Sequence, residues 1–337
     1  MSDFFKPLTV SLGRSANWIR RGDPELRPGE PTCALATCAS SQSLWQRWRR
    51  RHRPTGTFLQ GVFYCQPQCL ETALLGQLSR LRTMAVSSQP PNRIPLGLLM
   101  VARGKITYLE VRAALEAQRR ARYGKIGDWL EKLGFATEQE VTSALALQWG
   151  CPVASSFDPS TLPSPGSIPL SILEAFQMLP FNYVAATKTL YLAFGERVDH
   201  AALYAIEKVL DCRTQPCVAG RRTIARQLEA MRQTPRPSEV EFGPMRDLNE
   251  MARIVSSYTA RISPEHLRLS RIGRFIWLRF DVRSSNRSRL SLGAGSNPHS
   301  RPRFMTTNLV FRLSKDISRT AENGKGMARA MPEILQI

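Results

Sequence analysis

Apolar residues recur with helical spacing in two stretches of the chain that lie 30 residues apart. In the first stretch Leu96 and Met100 fall on one face of a helix, and in the second Ile126 and Leu130 take the equivalent positions. Repetition at one fixed offset is typical of a supersecondary unit that is used twice. The pattern therefore predicts two copies of one helical unit within residues 95–148.

A glycine turn and a longer helix complete each copy. Gly104 and Gly134 stand where the first helix should end, a position that favours a left-handed residue. Thr107 and Thr137 each precede a glutamate by three residues, which is the capping-box spacing that opens a helix. The positions identical in both copies, numbered in the first, are Gly97, Gly104, Thr107, Glu110, Val111, Ala114, Leu115 and Gln118. We therefore expect four packed helices, near 95–103, 108–119, 126–133 and 138–149.

The two stretches resemble the tandem motif of the MshEN-type domain, found at the N-terminus of type II secretion and type IV pilus assembly ATPases. That motif reads RLG-x2-L-x3-G-x6-L-x3-L-x2-Q, and the copies here are PLGLLMVARGKITYLEVRAALEAQ and KIGDWLEKLGFATEQEVTSALALQ. The segment from QWGCPVA to CVAG resembles the small α/β half of the family. The resemblance covers residues 94–232 and implies an α+β fold, with a four-helix tandem-hairpin unit followed by a small α/β sandwich.

In family members shown to do so, the paired motifs bind cyclic di-GMP. Carried over residue by residue, the resemblance implies a ligand site formed by Arg93, Leu96, Gly97, Met100, Gly104, Val111, Leu115, Gln118, Lys125, Ile126, Gly127, Leu130, Gly134, Val141, Leu145 and Gln148. The family arginine is replaced by Pro95 in the first copy and by Lys125 in the second, and lysine lacks the planar fork of arginine. Arg93 is the candidate substitute for the missing first arginine. Two interpretations stay open: a cyclic di-GMP site, or a module that docks on a secretion or pilus component.

Two cysteine pairs precede the repeat. Cys33 and Cys38 form the first pair, and Cys65 and Cys69 form the second, directly before an apolar helical run. Four thiolates suit tetrahedral zinc, and this order is typical of a treble-clef-like module. The alternative is four thiols that bind no metal.

A basic loop lies between the cysteine pairs. Trp45 and Trp48 interleave there with Arg47, Arg49, Arg50, Arg51 and Arg53. The whole chain of 337 residues carries a formal net charge of +20, which favours nucleic acid or another anionic partner. The alternative function is therefore that of a zinc-knuckle protein that binds nucleic acid.

The sequence motifs disfavour an enzyme. The phosphate-binding motif G-x4-G-K-[ST] does not occur, since the lysines that follow a glycine are not followed by Ser or Thr. The four histidines are scattered along the chain and form no recognisable catalytic pattern. No run of 18 apolar residues and no signal-peptide pattern is found, so we expect a cytoplasmic bacterial protein.

Composition and turn residues divide the chain. We expect a cysteine-rich basic region at 1–84, a linker at 85–93, and the repeat with its α/β half at 94–232. The α/β half should contain strands near 180–186, 189–194 and 214–219 and a helix over 199–210. A small appendage, with a helix at 245–262 and a hairpin around Gly273, is expected at 239–281. The Ser-, Asn- and Arg-rich residues 282–337 read as a mostly disordered tail.

Overall fold

Two β-sheets and the helices packed on them organise the chain. The computed structural model describes residues 31–38, 56–84, 93–154, 168–233, 238–283 and 304–314. Its strands form a six-stranded sheet and a three-stranded sheet. The structure is therefore mixed α and β, as the sequence predicts.

The elements of the described residues have the following bounds. The strands are β1 (Thr57–Leu59), β2 (Val62–Tyr64), β3 (Met178–Val184), β4 (Thr189–Phe194), β5 (Arg213–Val218), β6 (Glu239–Met245), β7 (His266–Ile272), β8 (Phe275–Arg283) and β9 (Phe304–Leu313). The helices are α1 (Pro67–Thr83), α2 (Leu96–Ala102), α3 (Tyr108–Ala121), α4 (Ile126–Lys132), α5 (Glu138–Trp149), α6 (Leu170–Phe176), α7 (His200–Leu210), α8 (Arg221–Gln233) and α9 (Leu248–Ile262).

Helices α2 to α5 form what we call the tandem unit, and their ends lie within two residues of the predicted bounds. Both capping boxes are present: the hydroxyl of Thr107 accepts from the Glu110 N–H, and that of Thr137 accepts from the Glu140 N–H. Gly104 follows α2 with a positive φ of 65°, as the turn requires. Leu96, Met100, Ile106, Val111, Ala114, Leu130, Val141 and Ala144 form one buried core.

Residues 168–233 form the αβ unit, which holds the three-stranded sheet. Strand β3 pairs antiparallel with β4, and β4 pairs parallel with β5. The three strands and α7 lie within two residues of their predicted bounds. Helix α7 has a buried face that packs between this sheet and β7 of the larger sheet. The αβ unit therefore shares its core with the six-stranded sheet.

The six-stranded sheet has the order β2-β1-β7-β8-β9-β6 and is covered on both faces. Leu278 and Phe311 belong to the core beneath α1 and α9, whereas Trp277 and Val310 belong to the core shared with α7. Successive residues along β8 and along β9 thus point to opposite faces of the sheet, and both faces are buried.

The large sheet corrects the predicted domain division. Strand β1 of the cysteine-rich region pairs in parallel with β7 of the expected appendage, so 56–84 and 239–283 form one unit. Residues 304–313, which we expected in a disordered tail, form β9 between β8 and β6. Polar Asn308 obscures the strand in the sequence, but it is fully buried and its Oδ1 accepts from Trp277 Nε1 at 3.0 Å. Strand β6 was not predicted either.

Candidate functional site

The closing glutamines of the tandem unit make reciprocal contacts. Gln118, at the end of the first copy, donates to the carbonyl oxygen of Gly124, just before the second copy, at 2.9 Å. Gln148, at the end of the second copy, donates to the carbonyl oxygen of Ile94, just before the first copy, at 2.6 Å. The two donor glutamines are 30 residues apart, and the two acceptor residues are also 30 residues apart. Each copy therefore closes on the start of the other, which gives the unit an approximate twofold symmetry.

Two equivalent glycines let the helices within each copy approach closely. A Cβ atom added to Gly97 would lie 2.9 Å from Cγ1 of Val111, and one added to Gly127 would lie 3.0 Å from Cγ1 of Val141. The spacing between helices is thus set in the same way in both copies. These glycines are needed for packing, in addition to any contact with a ligand.

A cavity of about 490 Å³ lies where the two copies meet the αβ unit. Four equivalent pairs of residues from the two copies line it, namely Pro95 and Lys125, Leu96 and Ile126, Leu115 and Leu145, and Gln118 and Gln148. Gly127 and Val141 of the predicted set also line it. A volume of this size is typical of a small-molecule site.

The remaining predicted residues lie elsewhere. Met100, Val111 and Leu130 are core residues with at most 5% of their surface exposed, and Gly97 packs against Val111. Gly104 and Gly134 occupy the turns after α2 and α4, outside the lining. The motif thus combines residues that line this cavity with residues that pack the helices together.

Arg93 is held against the end of α5. Its guanidinium donates to the carbonyl oxygen of Gln148 and lies 3.9 Å from the centre of the Trp149 ring. Arg93 is not part of the cavity lining, whereas Trp149 is. In this structure Arg93 therefore supports one wall of the cavity instead of taking the position of the missing first arginine.

The prediction missed the charged residues of the cavity. Carboxylates and cations that line it are Asp128, Glu131, Glu138, Glu196, Arg197 and Arg221. Three of the carboxylates stand in the second copy, where the first copy has apolar or aromatic residues, namely Leu98, Val101 and Tyr108. That difference between the copies was the signal available in the sequence. Residues 195–197 and Arg221 line the cavity only after the αβ unit has folded, so the repeat could not indicate them.

Lys125 and Arg221 share one carboxylate across the cavity. Lys125 Nζ donates to Glu196 Oε2, and Arg221 lies 3.1 Å from Glu196 Oε1. Arg221 also donates to Asp128 Oδ1, and Asp128 Oδ2 accepts from the Lys125 N–H at 3.0 Å. The ion pairs therefore connect the second copy to the αβ unit.

These contacts change the pKa values of the charged groups. Burial, followed by the nearby charge of Arg221, lowers the pKa of Lys125. Burial alone would raise the pKa of Asp128, but the hydrogen bonds from Arg221 and the Lys125 N–H outweigh it and hold the pKa below its usual value. Burial, together with the nearby carboxylate of Glu138, raises the pKa of Glu131.

The N-terminus of α8 also receives a carboxylate from the tandem unit. Glu138 Oε1 accepts from the Arg222 N–H at 2.8 Å, and the side chain of Arg222 lies 3.5 Å from Glu131. A carboxylate at this position satisfies a free N–H and the positive end of the helix dipole. Glu138 therefore helps to dock the second copy on α8.

The four predicted metal ligands come together at the edge of the six-stranded sheet. Cys33 and Cys38 flank Ala34, whose N–H donates to the carbonyl oxygen of Phe63 in β2, while Cys65 directly follows β2 and Cys69 lies in the first turn of α1. All four Sγ atoms lie within 4.8 Å of one another, and those of Cys38 and Cys65 are 3.5 Å apart. Sulfurs bound 2.3 Å from one tetrahedral zinc would stand about 3.8 Å apart. The cluster could therefore hold a metal ion.

The electrostatics of this cluster keep at least the Cys69 thiol protonated while no cation is bound. Burial, together with hydrogen bonds to Cys38 and Cys33, raises the pKa of the Cys69 thiol to about 12. Four thiolates would repel one another in this space, and a divalent cation removes that repulsion. The predicted basic loop between the cysteine pairs falls in residues 39–55, outside the described residues.

Solved structures show similarity to part of the chain. MshE, solved with cyclic di-GMP, matches 41% of this chain and 99% of its own, with 24% identity and a TM-score of 0.34. The N-terminal domain of XpsE matches 40% of this chain and 91% of its own, with 18% identity and a TM-score of 0.30. These are the matches that the tandem motif predicts. No protein-family model matches the sequence, and no curated protein matches it either.

A helix that crosses a membrane needs about 20 predominantly apolar residues. Among residues 31–38, 56–84, 93–154, 168–233, 238–283 and 304–314, none of the helices is long and apolar enough to cross a bilayer.

Proposed function

We propose that residues 94–232 are a regulatory module of the MshEN type and that the cavity between its two motifs binds a cyclic dinucleotide. The observation that supports this proposal is the lining: four pairs of residues, each related by 30 positions, face one cavity. A cyclic dinucleotide such as cyclic di-GMP is itself twofold symmetric, so its two halves suit the two copies.

The chemistry of the paired residues agrees with that ligand. Leu96, Ile126, Leu115 and Leu145 offer apolar contacts for the bases, and Gln118 and Gln148 can each donate and accept hydrogen bonds. Lys125 supplies a cation in the second copy, whereas Pro95 supplies none in the first. We therefore expect weaker binding than in a module with two arginines.

Calorimetry with cyclic di-GMP on the full chain tests the proposal. The Pro95→Arg and Lys125→Arg changes should together strengthen binding, by about tenfold for each 1.4 kcal/mol gained. Leu145→Ala should weaken it, because the leucine is part of the apolar lining, while Leu109→Ala, on the exposed surface of α3, serves as the control. If the double arginine variant binds no dinucleotide, the module is instead a docking surface.

The biological role that we propose is that of a non-enzymatic adaptor on secretion or pilus machinery. It is supported by the tandem motif and by the absence of the G-x4-G-K-[ST] phosphate loop from the sequence. Purified protein should release no phosphate from ATP above the level of a buffer control. Measurable turnover that survives repeated purification would contradict the non-enzymatic role.

We also propose that the four cysteines bind one zinc ion that joins residues 31–38 to β2 and α1. Metal analysis of the purified chain should give one zinc per molecule. Cys65→Ser should lose it, whereas Cys151→Ser, a half-buried cysteine outside the cluster, should keep it. Zinc retained by both variants would show that the metal lies elsewhere.

The alternative function, nucleic-acid binding, is favoured by this cysteine cluster and by the net charge of +20. A titration with duplex DNA at rising salt separates it from the first proposal. Binding whose affinity falls steeply with salt, together with no response to cyclic di-GMP, would favour the nucleic-acid function.

A further inference from the structure

Glu196 holds a central place among the charges of the cavity. It lies in the loop between β4 and α7, and its two oxygens contact Lys125 of the tandem unit and Arg221 of the αβ unit. Its side chain is only 18% exposed, whereas those of Lys125 and Arg221 are 59% and 47% exposed. The carboxylate of Glu196 is thus less exposed to solvent than the two cations that it contacts, although all three side chains line the cavity.

Each cation of the lining has a carboxylate partner. Lys125 and Arg221 contact Glu196, Arg221 also contacts Asp128, and Arg197 lies 3.5 Å from Asp199. An anionic ligand that enters the cavity therefore meets cations whose charge is already balanced by a carboxylate. Each cation keeps further N–H donors, but the ligand gains the whole charge attraction only if one of the carboxylates gives way.

Glu196 is the carboxylate that contacts both cations, so its displacement would free Lys125 and leave Arg221 with Asp128 alone. Asp128 has a second role, since it accepts from the Lys125 N–H at the start of α4. Glu138 has a different role, since it accepts from the N-terminus of α8. The two contacts of Glu196 are those to Lys125 and Arg221, the cations that a phosphate in the cavity would reach.

We propose that Glu196 is an internal competitor for phosphate, which sets the affinity of the cavity by occupying Lys125 and Arg221 until a ligand phosphate displaces it. This inference rests on the proposed function and adds a specificity residue to it. Because Lys125 belongs to the tandem unit and Glu196 to the αβ unit, the displacement would also remove one contact between the two units.

The test compares three forms of the full chain by calorimetry with cyclic di-GMP at one fixed salt concentration. Glu196→Gln keeps the size of the side chain and removes its charge, so it should bind about tenfold more tightly than the parent chain, a difference of 1.4 kcal/mol. Glu229→Gln is the matched control. It removes a charge from α8 outside the cavity, where the carboxylate contacts Arg232, so the affinity should stay within about twofold of the parent.

Each outcome is decisive. Tight binding by Glu196→Gln alone supports the competitor role, also where the parent chain binds nothing measurable. Equal binding by the parent and Glu196→Gln overturns the competitor role and leaves the dinucleotide site intact. No binding by any form overturns both. Circular dichroism of Glu196→Gln and Glu196→Ala checks folding, and if both variants fail to fold, Glu196 is a structural residue and the inference is wrong.

Discussion

The two copies of the repeat share their caps, turns and helix packing, but they carry different residues on one outer face. Both have the capping box, the close glycine–valine contact and the reciprocal glutamine bond. On the face that meets α8 in the second copy, however, the acidic residues Asp128, Glu131 and Glu138 correspond to Leu98, Val101 and Tyr108 in the first copy. Leu98 and Tyr108 are 48% and 65% exposed.

The comparison teaches which positions specify the fold and which specify contacts. Caps, turns and close helix packing constrain the backbone, and they are alike in both copies. The outer faces contact different neighbours, and the second copy has acquired the charges that bind Arg221 and Arg222. The four predictions that follow test this division, beginning with the core.

The largest effect is expected from Met100 and Leu130, which are equivalent and fully buried in one shared core. Met100→Ala and Leu130→Ala should each lower the free energy of unfolding by roughly 2–5 kcal/mol. Urea unfolding followed by circular dichroism measures this. Leu109→Ala, at a position 72% exposed, should change it by less than about 0.5 kcal/mol. A large loss in one copy and none in the other would show that the copies do not share a core.

A smaller effect is expected at the close contact of the glycines. Gly76→Ala, at an open position of α1, should stabilise the chain by about 0.5–1 kcal/mol. Gly97→Ala and Gly127→Ala should instead destabilise it, by about 1–3 kcal/mol relative to Gly76→Ala, since the new methyl meets a valine. Equal midpoints of thermal unfolding for all three variants would argue against the close approach.

Local signals predicted the tandem and αβ units well. The spacing of Leu96 and Met100 and the threonine caps depend on residues only a few positions apart, so the sequence shows them directly. The paired glutamines and the lining leucines were carried over from the motif that the two copies resemble. The four cysteines were also found, because their chemistry narrows the alternatives.

Long-range pairing could not be predicted in the same way. Strand β1 pairs with β7 across some 200 residues of sequence, and β9 enters the sheet between β8 and β6. Alternation of apolar and polar residues can show which face of a strand is buried, but it does not show which other strand it pairs with. The same holds for the cavity, where Glu196 and Arg221 reach Lys125 only after the αβ unit has folded.

The capping boxes should contribute equally in the two copies. Thr107→Ala and Thr137→Ala each remove an acceptor for an N–H in the first turn of a helix, and each should cost about 1 kcal/mol. Ser143→Ala, within α5 and exposed, should cost nothing, because alanine favours a helix. Urea unfolding checks all three. A cost at Thr137 alone would mean that the first copy does not depend on its cap.

The smallest effect concerns pH and separates the two copies most directly, since Asp128 corresponds to an uncharged leucine in the first copy. The pKa of Asp128 is lowered in the folded chain, so its ionised form stabilises the fold above its unfolded pKa of about 3.9. That contribution is lost as the pH falls through the lower, folded value. The stability advantage of the parent chain over Asp128→Asn should therefore shrink as the pH falls from 7 to 3, as measured by urea unfolding.

Glu131 should show the opposite trend. Its pKa is raised, so its ionisation costs stability, and the parent should gain stability relative to Glu131→Gln as the pH falls over the same range. Parallel trends for the two variants would show that the second copy is not held by the ion pair between Asp128 and Arg221.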